Sequence, residues 1–117
     1  IAQTLAGEKQ GSLFESLNFT LTPTGARKLL KDLSSPLRDL GLINQRLDLV
    51  SFFYDKYDDI KKEIDGEILN FPDLARSLNR ITLGRGGPRD LLAICTSLKK
   101  AINLSDCIYV NTKKENS

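Results

Sequence analysis

The chain has no histidine, no tryptophan and no methionine, and only two cysteines. Without an imidazole to take the proton, neither a Ser–His nor a Cys–His nucleophile can be built. The same absence removes a histidine-based metal site, and Cys95 and Cys107 lack the CxxC spacing of a thiolate site. No apolar stretch approaches the ~20 residues that a membrane-spanning helix needs. The opening IAQTLAGEKQGS has neither the basic start nor the apolar run of a secretory leader. Charge of one sign is also missing. Lys and Arg number 17 against 15 acids, and the net charge of +2 is too weak by itself to point to nucleic acid or membrane. With no methionine, Ile1 is not a translation start, so the sequence reads as a segment of something longer, or less simply as a processed product.

What is present is ordinary globular material: 40% hydrophobic, 27% charged and 7% aromatic residues, mixed along the chain. Its 117 residues are most simply one domain over 1–117, enough for a single core. Residues 1–11 read as an irregular lead-in and 103–117 as a polar tail or the start of a next helix. Two lone cysteines fit a reducing cytosol, with Cys95 a small buried hydrophobe. A disulfide between Cys95 and Cys107 is the lesser alternative.

Helix signals dominate. Ser12 with Glu15 three places on forms a capping box for a short helix. Leu17, Phe19 and Leu21 alternate as one short extended segment would, with no second strand to pair it. Thr22 is then an N-cap and Pro23 suits a first helical position, since its missing N–H had no partner there. Ala26, Leu29, Leu30 and Leu33 share a face, and Ser34, Ser35 and Pro36 end that helix. Asp39 caps a longer one. There Leu40, Ile43, Leu47, Val50 and Tyr54 form a stripe that Leu49 and Phe53 widen, as for a helix with neighbours on two sides.

The stretch YDKYDDIKKEIDGEI reads as a solvated helix with possible i, i+4 pairs Asp58 with Lys62 and Lys61 with Asp65. Asp55, Asp58 and Asp59 lack the Gly and closing Glu of a calcium loop. Asn70 and Pro72 open a helix bearing Leu74, Leu78 and Ile81. After GRGG, Pro88 opens another with Leu91, Ile94, Leu98 and Ile102 on one face. The sum is an all-α bundle of about five helices joined by short turns.

The best candidate for chemistry is NRITLGRGGPRD. Glycines leading into a helix N-terminus can present N–H groups to phosphate, and Arg80, Arg85 and Arg89 add positive charge. Against that, a nucleotide loop requires GxxxxGK followed by Ser or Thr, and Pro88 removes one donor. A tight helix–helix turn accounts for the glycines more simply. Lys28, Lys31, Lys99 and Lys100 read as surface charge. Arg27 and Arg46 lie among apolar residues, and an ion pair between helices is the favoured reading, with Asp48 and Asp73 as candidate partners. Gly25, in the first turn of its helix, costs helix propensity of roughly 1 kcal/mol, which close approach of a neighbouring backbone can outweigh.

Taken in order, these residues resemble the core, or lever, domain of the MutS family of DNA mismatch-recognition ATPases. The family pattern T-x-x-G-x-R-x-L is matched by Thr22, Gly25, Arg27 and Leu29. Leu33, Pro36 and Leu37 follow, then Ile43 and Arg46 of I-x-x-R. D-L-x-R-x-L-x-R appears as Asp73, Leu74, Arg76, Leu78 and Arg80, and P-R-D-L as Pro88, Arg89, Asp90 and Leu91. The agreement covers about residues 1–102, and its specificity lies in the ordered set. Asp32 departs from the pattern, standing where the family usually has Trp or another large residue, as does Ala75, where an acid is common.

The resemblance implies the first half of a helical core. The parent protein would bind mismatched duplex DNA as a dimer, use ATP and Mg in a separate ATPase domain, and be cytoplasmic. The partners would be the clamp, connector and ATPase domains of the same chain. No family residue for ATP or for reading a mispair falls here, so catalysis is not expected of the segment itself. Cut out, such a segment is expected to be marginally stable or to self-associate through exposed leucines. The alternative is a free-standing helical module that binds a protein partner or DNA backbone through residues 80–89.

Overall fold

The computed structural model describes residues 1–113, and among these the regular structure is helical, with no strand. Six helices follow in order: α1 Leu13–Leu17, α2 Pro23–Ser34, α3 Leu40–Asp55, α4 Tyr57–Ile68, α5 Leu74–Thr82 and α6 Pro88–Lys113. The all-α expectation holds, with one helix more than the approximate count. The chain divides into two compact units, residues 1–52 and the residues from Phe53 onward.

In the first unit α1 packs on α2. The Ser12 hydroxyl accepts the Glu15 N–H, and the Glu15 carboxylate reaches back to the Gly11 N–H at 2.6 Å, one residue before the cap. The expected extended segment is absent. Asn18 Oδ1 instead accepts from the Thr20 hydroxyl and N–H, a local turn that competes with an extended backbone. α2 starts as its sequence dictates, with Thr22 Oγ1 accepting the Gly25 N–H at 3.0 Å and Pro23 in the first turn. A Cβ on Gly25 would lie 3.0 Å from that same Thr22 oxygen and 3.5 Å from Thr20 Cβ. The crowding that favours glycine thus comes from side chains of its own lead-in, correcting the expected neighbouring backbone.

α3 starts at Asp39, whose carboxylate accepts the Leu42 N–H at 2.9 Å. Its wide apolar stripe was expected to touch neighbours on two sides. Among the described residues, however, Leu40, Leu42, Leu47, Leu49 and Val50 are all at least half exposed.

In the second unit α4 and α5 each pack on α6. The segment expected to be a solvated helix holds the most buried apolar residue, Ile60, at 2% exposure. Ile60, Ile64 and Ile68 recur every four residues and so share one face of α4. Only the remaining faces are charged. Lys61 lies over the Tyr57 ring, 4.8 Å from its centroid, and its ammonium is held above the usual lysine range chiefly by the Tyr57 hydroxyl, with Asp65 and Asp58 adding to it.

α4 ends at Leu69, and Asn70 takes a left-handed φ of 58°, which asparagine tolerates better than most residues. Asn70 therefore closes one helix rather than opening the next. The next begins after Asp73, whose carboxylate accepts the Arg76 N–H at 3.2 Å. α6 runs unbroken for 26 residues. Residues 103–113 continue it, and the remainder of the expected polar tail lies outside the described residues.

The accessible surface is 9400 Å² for a 13.0 kDa chain. Two separate compact bodies of half that mass would together expose about 7600 Å². Large apolar side chains such as Leu40, Leu92 and Ile102 are among those left exposed. No helix among the described residues is long and apolar enough to cross a membrane.

Candidate functional site

The turn between α5 and α6 carries the three arginines singled out by sequence, and its backbone is a helix-ending motif built from local rules. Leu83 is the C-cap of α5, and Gly84 follows with φ 69°. The Arg85 N–H bonds the Arg80 carbonyl and the Gly84 N–H bonds the Ile81 carbonyl, both at 2.9 Å, the paired pattern of a Schellman ending. Gly86 then passes against Ile81 so closely that a Cβ there would lie 2.8 Å from Ile81 Cα and closer still to its side chain. Two glycines are thus fixed for different reasons, one by torsion and one by contact.

Asp90 organises the start of α6. Its Oδ2 accepts the Gly87 N–H at 3.0 Å and the Arg80 Nε–H at 3.3 Å, while Arg80 also donates to the Arg85 carbonyl at 3.4 Å. The Asp90 carboxyl is held below its usual range, chiefly by the Gly87 N–H and further by Arg80 and Ser77. Pro88 contributes no donor. The Gly87 N–H at this helix N-terminus is therefore taken by the chain's own carboxylate. Arg80 is engaged within the fold. Arg85 and Arg89 are exposed.

The remaining signature residues separate by unit. Thr22 and Gly25 form the α2 cap, and Arg27 donates to the Thr24 hydroxyl at 3.2 Å. Pro36 and Leu37 lie in the connection to α3, and Ile43 is half-buried on α3. Arg46 reaches Asp32 of α2 at 3.5 Å. The helix-to-helix ion pair expected for this arginine exists, but its partner is neither Asp48 nor Asp73. It is Asp32, for which the sequence suggests no such role. Asp32 also takes Lys28 at 2.5 Å, and its carboxyl is lowered chiefly by that bond. Arg27 and Arg46 both lie at the surface rather than buried. Asp73 caps α5 through the Arg76 N–H.

Sequence reasoning missed two ties between α4 and α6. Lys100, read as surface charge, donates from Nζ to the Glu67 carbonyl at 3.1 Å and the Leu69 carbonyl at 3.0 Å. The Cys107 thiol donates to Glu63 Oε2 at 2.9 Å. That carboxylate, first among the causes, pushes the thiol pKa up and so disfavours the nucleophilic thiolate. Cys95 is exposed, contrary to expectation. It lies twelve residues from Cys107 on the same helix, about 18 Å along its axis, beyond disulfide reach. Both cysteines are free. Beside Lys100, Phe71, Ala101, Leu104, Ser105, Ile108 and Tyr109 line an open apolar groove of about 470 Å³.

The comparisons with known proteins agree on identity. MutS domain III matches residues 1–117. A DNA mismatch repair protein MutS from Azorhizobium caulinodans is 37% identical over 115 residues, covering 98% of this chain and 12% of that protein. MutS proteins of Zymomonas mobilis and Rhizobium meliloti are each 43% identical, over 88% and 90% of this chain and 12% and 11% of their own lengths. No solved structure matches. The chain thus spans about an eighth of the length of these relatives, and it belongs to the MutS family of DNA mismatch repair proteins, as its domain III.

Proposed function

We propose that this domain III segment is the mechanical link of a MutS-type mismatch repair protein, carrying the nucleotide state of an ATPase domain to a DNA clamp through stiff helices. The observation that carries the reading is α6. It has 26 residues, about 39 Å at 1.5 Å per residue, and is braced by α4 and α5. A continuous hydrogen-bonded rod of that length moves as one piece, whereas a loop of the same length would absorb a displacement. The apolar faces left open on α3 and α6 support a segment that works against other parts of its parent. The parent would bind ATP with Mg outside this segment, grip mismatched duplex DNA as a dimer and act in the cytoplasm. The segment itself does no bond-breaking.

The test uses the full-length protein with Lys99→Pro, which removes a backbone hydrogen bond in mid-α6 at an exposed position, and with Lys99→Ala as control. ATP hydrolysis and DNA binding, measured separately, stay within about twofold, while the nucleotide-dependent change in DNA affinity is lost. Intact coupling in the proline variant contradicts the proposal.

A second reading takes residues 80–89 as a grip on DNA backbone or a protein partner, and the exposure of Arg85 and Arg89 favours it. The pairing of Arg80 with Asp90 weakens it by leaving fewer free cations. This reading requires DNA affinity that falls steeply with salt and with Arg85→Ala or Arg89→Ala. A flat titration at low salt removes the DNA version.

A further inference from the structure

The connection between α4 and α5 crosses α6 in a way that the helix signals did not foretell. The last carbonyls of a helix have no partner within it, and the negative end of the helix dipole gathers there. At the end of α4 two of these groups, on Glu67 and Leu69, accept from one ammonium, that of Lys100 on α6, at 3.1 and 3.0 Å. The next residue, Asn70, holds a left-handed φ of 58°. Phe71 then turns onto α6, where it lines the apolar groove with Ala101, Leu104, Ile108 and Tyr109. Asp73 starts α5 immediately afterwards.

We propose that residues 69–73 form a strap latched to α6 by the Lys100 ammonium, and that the groove beside Phe71 exists only while this latch is closed. The strap has a fastened end at Leu69, a pivot at Asn70 in a torsion that non-glycine residues adopt reluctantly, and a fixed end at the Asp73 cap. Between these points the Lys100 bonds reach the strap's first residue and the turn before it. Losing them leaves two carbonyls at the negative end of α4 without the charge that compensates them. The pivot is then free to relax, and Phe71 moves away from the wall it forms. The inference goes beyond the mechanical reading and stands whether or not α6 transmits a signal.

Hydrogen exchange by mass spectrometry on the full-length protein tests it, with Lys100→Met, Lys100→Arg and the exposed neighbour Lys99→Met. Lys100→Met keeps the aliphatic stem and removes the charge and its donors. Exchange at residues 68–73 is expected to rise about tenfold, the scale of one charge-assisted hydrogen bond. The interiors of α5 and α6 hold their natural rates. Lys100→Arg, which retains charge and donors, and Lys99→Met leave the strap protected. If Lys100→Met does not fold, Lys100→Gln, with one shorter donor arm, must show the same local rise. Unchanged exchange at 68–73, a rise spread evenly over α4, α5 and α6, or failure of arginine to protect the strap overturns the proposal.

Discussion

Arg46 on α3 and Asp32 on α2 meet at 3.5 Å, an ion pair between successive helices. Asp32 is the more enclosed partner, its side chain 30% exposed against 43% for Arg46. Asp32 thus holds two charge contacts, with Arg46 and with Lys28. Such surface contacts contribute modestly and are weakened by salt.

Asp32 and Asp90 each contribute to the pH dependence of stability. Both carboxyls are held below the ordinary value of 3.8, Asp32 chiefly by Lys28 and Asp90 chiefly by the Gly87 N–H. A depressed folded-state pKa gives stability that is present above the unfolded value and lost as pH falls through the folded one. Urea midpoints measured from pH 6 to pH 2 should therefore decline on the acid side of 3.8. Asp32→Asn and Asp90→Asn should each flatten that decline, and 0.5 M salt should shrink the Asp32 part more than the Asp90 part.

Two glycine substitutions should move stability in opposite directions. Gly86→Ala drives a methyl into the backbone of Ile81 and should cost about 1–3 kcal/mol. Gly66 sits inside α4 without a left-handed torsion, and nothing lies within 4 Å of the place a methyl group would take. Gly66→Ala should therefore stabilise by about 0.5–1 kcal/mol. Denaturant titration of both variants reads the signs directly.

The two thiols should differ in reactivity. Cys95 is exposed, while Cys107 is half-buried and donates to the Glu63 carboxylate, which raises its pKa. Alkylation by iodoacetamide at pH 8, followed by mass spectrometry, should label Cys95 first. Glu63→Gln removes the charge that holds the proton and should speed labelling of Cys107.

The isolated chain should associate with itself. Leu40, Leu92 and Ile102 are among the large apolar residues left more than 60% exposed. Sedimentation velocity should show mass rising with concentration, and Leu92→Glu should reduce it. A strictly monomeric chain with a high, cooperative melting transition contradicts this expectation without altering the family assignment.

What the sequence disclosed was mostly local. Thr22 with Pro23, Asp39, and Pro88 after GRGG mark helix starts because each cap acts within three or four residues of itself. Asn70 misled because asparagine serves both as an N-cap and in the left-handed position after a helix, and only the backbone torsion separates the two. Ile60 was hidden by the charges around it, although its spacing to Ile64 and Ile68 carried the signal. The partner of Arg46 and the carbonyls held by Lys100 are non-local, so no pattern along the chain pointed to them. The stripe on α3 was read correctly as apolar. Periodicity reports which face a helix offers for burial, and among the described residues that face is largely uncovered.

The central claim is that α6 behaves as one rigid body. It is tested most directly by pulsed electron paramagnetic resonance on the full-length protein, with spin labels on Leu92→Cys and Val110→Cys after Cys95 and Cys107 are replaced by serine. The two positions lie eighteen residues apart on α6, a backbone separation of about 27 Å. A rigid α6 gives one narrow distance distribution that does not change when ATP or mismatched DNA is added. A broad distribution, or a distance that shifts with nucleotide, would show a helix that bends or melts and would contradict the claim.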